Sequence, residues 1–92
     1  MIRSFSHKGL RRFFESGSKR GVPPEMADRL RRQLDALEEA MDVLDMNLPG
    51  YDLHQLKGDK AGTWAVTVRA NWRLTFRFVG GDALDVNFED YH

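Results

Sequence analysis

The spacing of hydrophobic positions changes near residue 50, and the change divides the chain in two. Ala27, Leu30, Leu34, Leu37 and Met41 recur at alternating intervals of three and four. That spacing sets five apolar side chains on one face of a helix. Pro23-Pro24 opens it, because proline suits a first turn whose N–H groups have no helical partner. Pro49-Gly50 closes the segment. A shorter face, Leu10, Phe13 and Phe14, predicts an earlier helix, capped by Ser6 and ended by the loop between Gly17 and Gly21. Before it, Ile2–Phe5 reads as an edge strand.

After Gly50 the period falls to two. Trp64, Val66 and Val68 alternate with Ala65, Thr67 and Arg69; Trp72, Leu74, Phe76 and Phe78 alternate with Arg73, Thr75 and Arg77. Leu84, Val86 and Phe88 alternate with Asp85, Asn87 and Glu89. Such alternation predicts strands with one face in the core. Gly80-Gly81-Asp82 and Ala70-Asn71 supply the hairpin turns. Tyr51–Lys57 reads as a further strand, with weaker alternation. The order is β-α-α-β-β-β-β, an α+β fold with two N-terminal helices on one face of an antiparallel sheet. A chain of 92 residues is expected to form one domain, 1–92.

Composition narrows the class. With 41% hydrophobic and 30% charged residues the chain reads as globular. It has no cysteine, which excludes a disulfide framework and a thiolate zinc site. The apolar runs fall far short of a membrane span, and MIRSFSHKGLRRFF lacks the apolar core of a signal peptide. A cytoplasmic protein without membrane association is expected. Net charge is zero but unevenly spread: residues 1–32 hold nine Lys/Arg against three acids, and residues 33–52 hold six acids and no base. That distribution suits either one acidic and one basic face or two helices with differently charged solvent sides. On the sheet, Arg69, Arg73 and Arg77 share the parity opposite the aromatic stripe. They form either a solvated face or a phosphate-binding one, since guanidinium forks match phosphate oxygens.

The chain has no phosphate-cradling glycine loop, no H-E-x-x-H and no G-x-S-x-G. Its histidines are His7, His54 and His92, at no ligand spacing, so neither a metal nor a cofactor is expected. Metal-free proton transfer remains. His7 falls at a predicted helix start, where a histidine is incidental. His54 lies in LHQLKG with the cation Lys57 three residues on. The alternation of the last strand runs into NFEDYH, so Asp90 projects to the apolar side and Tyr91 to the side of the arginines. Carboxylate, phenol and the imidazole of His92 thus sit on a strand end held in place, not on a loose tail.

LHQLKGDKAGTWAVTVRANWRLTFRF, followed by a terminal DYH, resembles the HigB branch of the RelE-like bacterial toxins. IRSFSHKGLRRFFESG and the chain length are similar too, so the resemblance spans nearly the whole sequence. Gln55 stands where many relatives have proline. The resemblance implies a ribosome-dependent mRNA endonuclease, the toxin of a type II toxin–antitoxin pair. It implies as partners a HigA-like helix-turn-helix antitoxin, the 70S ribosome and mRNA, with operator DNA reached only through the antitoxin. It also implies His54, Lys57, Asp90, Tyr91 and His92 as the active site and Arg73 as a phosphate contact.

The chemistry of these groups is compatible with that implication. Cutting RNA without metal uses the neighbouring 2′-hydroxyl as nucleophile. It needs a base at the 2′-oxygen, an acid at the leaving 5′-oxygen and cations around the phosphorane. Imidazole, with an ordinary pKa of about 6.5, can accept or donate a proton near neutrality. His54 as base with His92 as acid fits, and so does the reverse. Asp90 orients a histidine or is itself the acid. Lys57 and Arg73 stabilise phosphoryl charge, and Tyr91 offers a ring for base stacking. Two alternatives keep the fold: a ParE-like inhibitor of DNA gyrase, and a non-catalytic RNA- or protein-binding module. D-Y-H and H-x-x-K favour the nuclease, since a gyrase inhibitor has no use for paired imidazoles.

Overall fold

Alternation after residue 62 produces a sheet, and the hairpin turns set its order. In the structure, a computed structural model describing residues 1–91, strands β1 (His54–Gln55), β2 (Thr63–Arg69), β3 (Trp72–Val79) and β4 (Asp82–Asp90) lie in sequence order. All three pairings are antiparallel. Gly80 and Gly81, at φ 57° and 85°, make the two-residue turn between β3 and β4, where positive φ matches the strand twist. Helices α1 (Lys8–Ser16) and α2 (Ala27–Glu39) pack their apolar faces on one side of the sheet. None of the helices described is long and apolar enough to cross a membrane.

The helix starts differ from expectation. The cap of α1 is His7, not Ser6: its Nδ1 accepts the Leu10 N–H at 2.9 Å. A 3-10 turn at Pro24–Met26 precedes α2, and Leu30, Leu34 and Leu37 are fully buried. Met41 does not continue their stripe. The helix stops at Glu39, Ala40 is extended, and Met41 is 85% exposed. A capping box explains the stop: Asp45 Oδ2 accepts the Met41 and Asp42 N–H groups at 2.9 and 3.2 Å, starting a 3-10 turn at Val43–Met46. That turn buries Met46 in the core.

Two β-bulges reset the strand faces. Between Thr75↔Asn87 and Arg77↔Leu84, β4 advances three residues against two in β3. The extra residue, Asp85, has φ 53°. The core face of β4 is therefore Ala83, Val86 and Phe88, and Leu84 falls outside the core where the alternation put it inside. In β2 the register shifts between Thr67 and Arg69, which pairs Arg69 with Trp72. Arg69 thus leaves the face shared by Arg73 and Arg77, contrary to the expected row of three.

The first residues pair with β4 but do not form a continuous strand. Parallel bridges join Ile2 to Ala83 and Phe5 to Val86, on either side of the bulge. Between them the Ser4 hydroxyl accepts the displaced Asp85 N–H at 2.8 Å. The expected strand over Tyr51–Lys57 shrinks to His54–Gln55. Before it, the chain follows a strap held by other contacts.

The difference between Leu34 and Met41 can be read in stability. Leu34→Ala should cost about 2–5 kcal/mol, the price of an unfilled core site. Met41→Ala, despite its helical spacing, should change stability by no more than about 0.5 kcal/mol. Urea unfolding midpoints check this; equal losses would contradict the break in the stripe.

Candidate active site

Three chain segments end on one open cleft of about 900 Å³. The segment around β1 brings His54 and Lys57, the start of β3 brings Trp72 and Arg73, and the end of β4 brings Asp90 and Tyr91. Antiparallel order explains the meeting: β3 begins where β4 ends, so residues 16 to 18 positions apart become neighbours. Trp72 pairs with Asp90 and Arg73 with Glu89. The Tyr91 N–H donates to the Asn71 carbonyl at 2.7 Å, which carries this pairing past the last strand residue.

His54 is exposed, and its ring is fixed from one side. Its Nδ1 lies 2.9 Å from the Asp52 carbonyl oxygen. A carbonyl oxygen only accepts, so the bond requires a hydrogen on Nδ1, and the neutral ring then keeps its lone pair on Nε2. Lys57 stands three residues on. Gly58, at φ 72°, turns the chain there into the 3-10 turn Gly58–Lys60.

Arg73 is the most enclosed cation of the cleft, its side chain only 11% exposed. Its Nε and Nη2 reach Glu89 Oε1 at 3.1 and 3.0 Å. The other oxygen of Glu89 lies 3.4 Å from Lys60 Nζ. Above the guanidinium sits Tyr91, with Arg73 Cζ 3.9 Å from the ring centre. A cation over a ring face is held by the ring quadrupole, so Arg73 orients Tyr91 while leaving it 57% exposed. Trp72 is backed by Phe88, stacked at 4.6 Å.

Five of the expected site residues thus line one cleft: His54, Lys57, Arg73, Asp90 and Tyr91. The sixth, His92, lies outside the described residues. Arg69 and Arg77 do not line it; Arg77 is held by Asp85 at 3.0 Å. The row of arginines is therefore not a bare cationic face, since Arg73 and Arg77 each have a cross-strand carboxylate. Beside them, Ala65 and Thr75 are buried, so that face is not open solvent throughout. The sequence reading missed Glu89, Lys60 and the Asp52 carbonyl. Among the described residues, no three His, Cys, Asp or Glu gather as a metal site would require.

Comparison with known proteins agrees with the resemblance. Residues 3–92 match the family described as the RelE-like toxin of type II toxin–antitoxin system HigB. The chain is 51% identical over 92 residues to Endoribonuclease HigB of Proteus vulgaris, covering 100% of both. It is 29% identical over 93 residues to Toxin HigB-1 of Vibrio cholerae, covering 99% of this chain and 98% of that one.

The unequal sharing of Glu89 predicts unequal losses. Glu89→Gln leaves the enclosed Arg73 without its counter-charge and should cost about 1–3 kcal/mol. Lys60→Met removes only an exposed partner and should cost less than about 1 kcal/mol. Denaturant midpoints for the two variants check the ranking; equal costs would mean that Arg73 does not depend on Glu89.

Proposed function

The chain belongs to the HigB-like family, the RelE-like toxins of type II toxin–antitoxin systems, and from that premise we propose that it is an endoribonuclease cutting mRNA on the ribosome. The observation that carries this reading is the cleft, where the His54 imidazole, three cations (Lys57, Lys60 and Arg73), four carboxylates and the exposed Tyr91 ring converge from three segments. A gyrase-binding surface has no need of that combination. Family membership implies an antitoxin partner; we take it to be a HigA-like helix-turn-helix protein, which alone contacts operator DNA. The site of action is the cytoplasm, where the 70S ribosome presents mRNA.

The reaction is transfer within the RNA. His54 Nε2 takes the proton of the 2′-hydroxyl, the 2′-oxygen bonds to phosphorus, and the bond from phosphorus to the 5′-oxygen breaks. His92 protonates that leaving oxygen, and the products are a 2′,3′-cyclic phosphate and a 5′-hydroxyl. The hydrogen bond from His54 Nδ1 to the Asp52 carbonyl favours His54 as the base, because it leaves Nε2 free to accept. Lys57 and Arg73 stabilise the charge that builds on the phosphoryl oxygens. Arg73 does so by sharing its guanidinium between Glu89 and phosphate. Asp90 orients a histidine, and Tyr91 stacks on a base without selecting its sequence.

This scheme makes two sets of predictions. His54→Ala, Lys57→Ala or His92→Ala should each lower cleavage by at least about a hundredfold, the usual worth of a general acid or base or of a charge-stabilising donor. Their melting temperatures should stay near that of the parent. The assay maps mRNA 5′ ends after incubation with translating ribosomes; naked mRNA cut equally well would remove ribosome dependence. A His54→Ala protein cutting at the parent rate would remove the base.

Arginines outside the cleft should behave differently. Arg69→Ala and Arg77→Ala should weaken ribosome or RNA binding, with an effect that shrinks as salt rises. Arg73→Ala should lower the cleavage rate itself at every salt concentration. Binding and single-turnover rates across a salt series separate the two. A salt-independent loss of stability shared by all three would make the arginines purely structural.

A further inference from the structure

The strap that leads into β1 is held by three successive carbonyls, each with a different donor. Gly50 O accepts from Arg29 Nη2 at 2.7 Å, Tyr51 O accepts the Thr67 N–H at 2.7 Å, and Asp52 O takes His54 Nδ1 at 2.9 Å. Arg29 lies on α2 and does not line the cleft. Its guanidinium sits 5.4 Å from the Tyr51 ring centre and also reaches the Thr67 carbonyl at 3.3 Å. Gln33, one turn further along α2 and fully buried, donates to that same carbonyl at 2.8 Å. Thr67 gives its own N–H to the Tyr51 carbonyl, so its carbonyl also faces the strap side of β2, where these two side chains of α2 reach it.

Asp52 stands at φ 50°, a conformation that aspartate adopts only when its surroundings hold it. The carbonyl that fixes His54 is thus carried by a strained residue whose position comes from the contacts on either side. Upstream, those contacts are the Thr67 N–H on the Tyr51 carbonyl and, beyond it, Arg29 on the Gly50 carbonyl. We propose that Arg29, seconded by Gln33, is a positioning residue for His54: it anchors the strap from α2 and so keeps the imidazole in the form with hydrogen on Nδ1 and the lone pair on Nε2. The inference rests on the reading of His54 as the base of RNA cleavage, which it deepens.

Loss of Arg29 frees the Gly50 carbonyl and lets the strap relax. The Asp52 carbonyl moves off the ring, and the imidazole samples both tautomers. Because misplacement of a reacting group by about 1 Å costs about a hundredfold, kcat should fall by about tenfold to a hundredfold in Arg29→Met. KM for programmed ribosomes should stay within about twofold, since the cations that contact RNA remain.

The test uses the full-length protein with 15N-labelled histidine, at a pH where the imidazoles are neutral. His54 is assigned by its loss in His54→Gln. In the parent, Nδ1 should give the signal of a protonated ring nitrogen and Nε2 that of an unprotonated one. Arg29→Met should average the two, and Arg29→Lys, which keeps a donor to Gly50, should restore part of the difference and of kcat. Arg31→Met is the control, removing from the same helix an arginine that bonds the Phe14 carbonyl and stacks on its ring. It should leave tautomer and kcat unchanged. An unchanged His54 tautomer in folded Arg29→Met or Arg29→Lys overturns the proposal, whatever the rate does. A shifted tautomer with parental kcat supports the anchoring by Arg29 and instead removes His54 as the base.

Discussion

One extra residue in β4 decides which side chains meet in this protein. The Gly80-Gly81 turn pairs Val79 with Asp82, and that register, continued without interruption, would put Arg73 opposite Phe88. The bulge at Asp85 moves the partner by one. Phe88 goes into the core beneath Trp72, Glu89 comes to Arg73, and Asp90 comes to Trp72. A left-handed aspartate is costly, and the structure offsets it locally: Ser4 accepts the Asp85 N–H, and Arg77 holds its carboxylate. The N-terminal segment bridges β4 on both sides of the bulge, so it covers an edge that would otherwise present unpaired groups.

The electrostatics of the cleft follow from that register. Arg73 is too enclosed to remain without a counter-charge, and Glu89 supplies one while dividing itself between Arg73 and Lys60. The acidic partner also limits what the site binds. A phosphate entering the cleft competes with a carboxylate already in hydrogen-bond contact with Arg73. On the proposed reading, a phosphate shares Arg73 with Glu89 only when further contacts, a base on Tyr91 and a second cation at Lys57, also hold the strand. Under the proposed function, weak engagement of stray RNA and strong engagement of a held strand are the expected consequence.

Much of this was legible in the sequence. The helix stripe over residues 27–37 follows burial there, and the alternation in β2 and β3 named the core-facing side chains, although Ala65 and Thr75 on the opposite face are buried as well. The residues lining the cleft were reached mainly through the motifs L-H-x-L-K-G, N-W-R and D-Y-H, since lone histidines carry little local signal. Long-range register was not readable. The alternation of β4 suggested Leu84 inside, yet the two-glycine turn opposite Phe78 demands Ala83 inside; with Val86 and Phe88 also apolar, those demands meet only through a bulge. That conflict was the available sign of it, and of the Arg73–Glu89 pair it creates. The end of α2 was hidden in the same way: Met41 keeps the helical spacing, while the capping box of Asp42 and Asp45 breaks the helix before it. The strap at residues 50–52 has no periodicity at all, because its carbonyls bond to groups far along the chain.

The chemistry assigned to the cleft depends on attack by the ribose next to the cut, with His54 Nε2 receiving the 2′ proton. Replacing that single ribose by its 2′-deoxy form removes the nucleophile and leaves the phosphate, the bases and the ribosomal frame unchanged. The decisive measurement is therefore cleavage of a ribosome-programmed mRNA carrying one 2′-deoxynucleotide on the 5′ side of the mapped cut. Loss of cleavage at that bond, with the all-ribose message giving 2′,3′-cyclic phosphate ends, is the result expected. Undiminished cleavage at the deoxy position would show that the nucleophile comes from elsewhere and would contradict the assignment of His54.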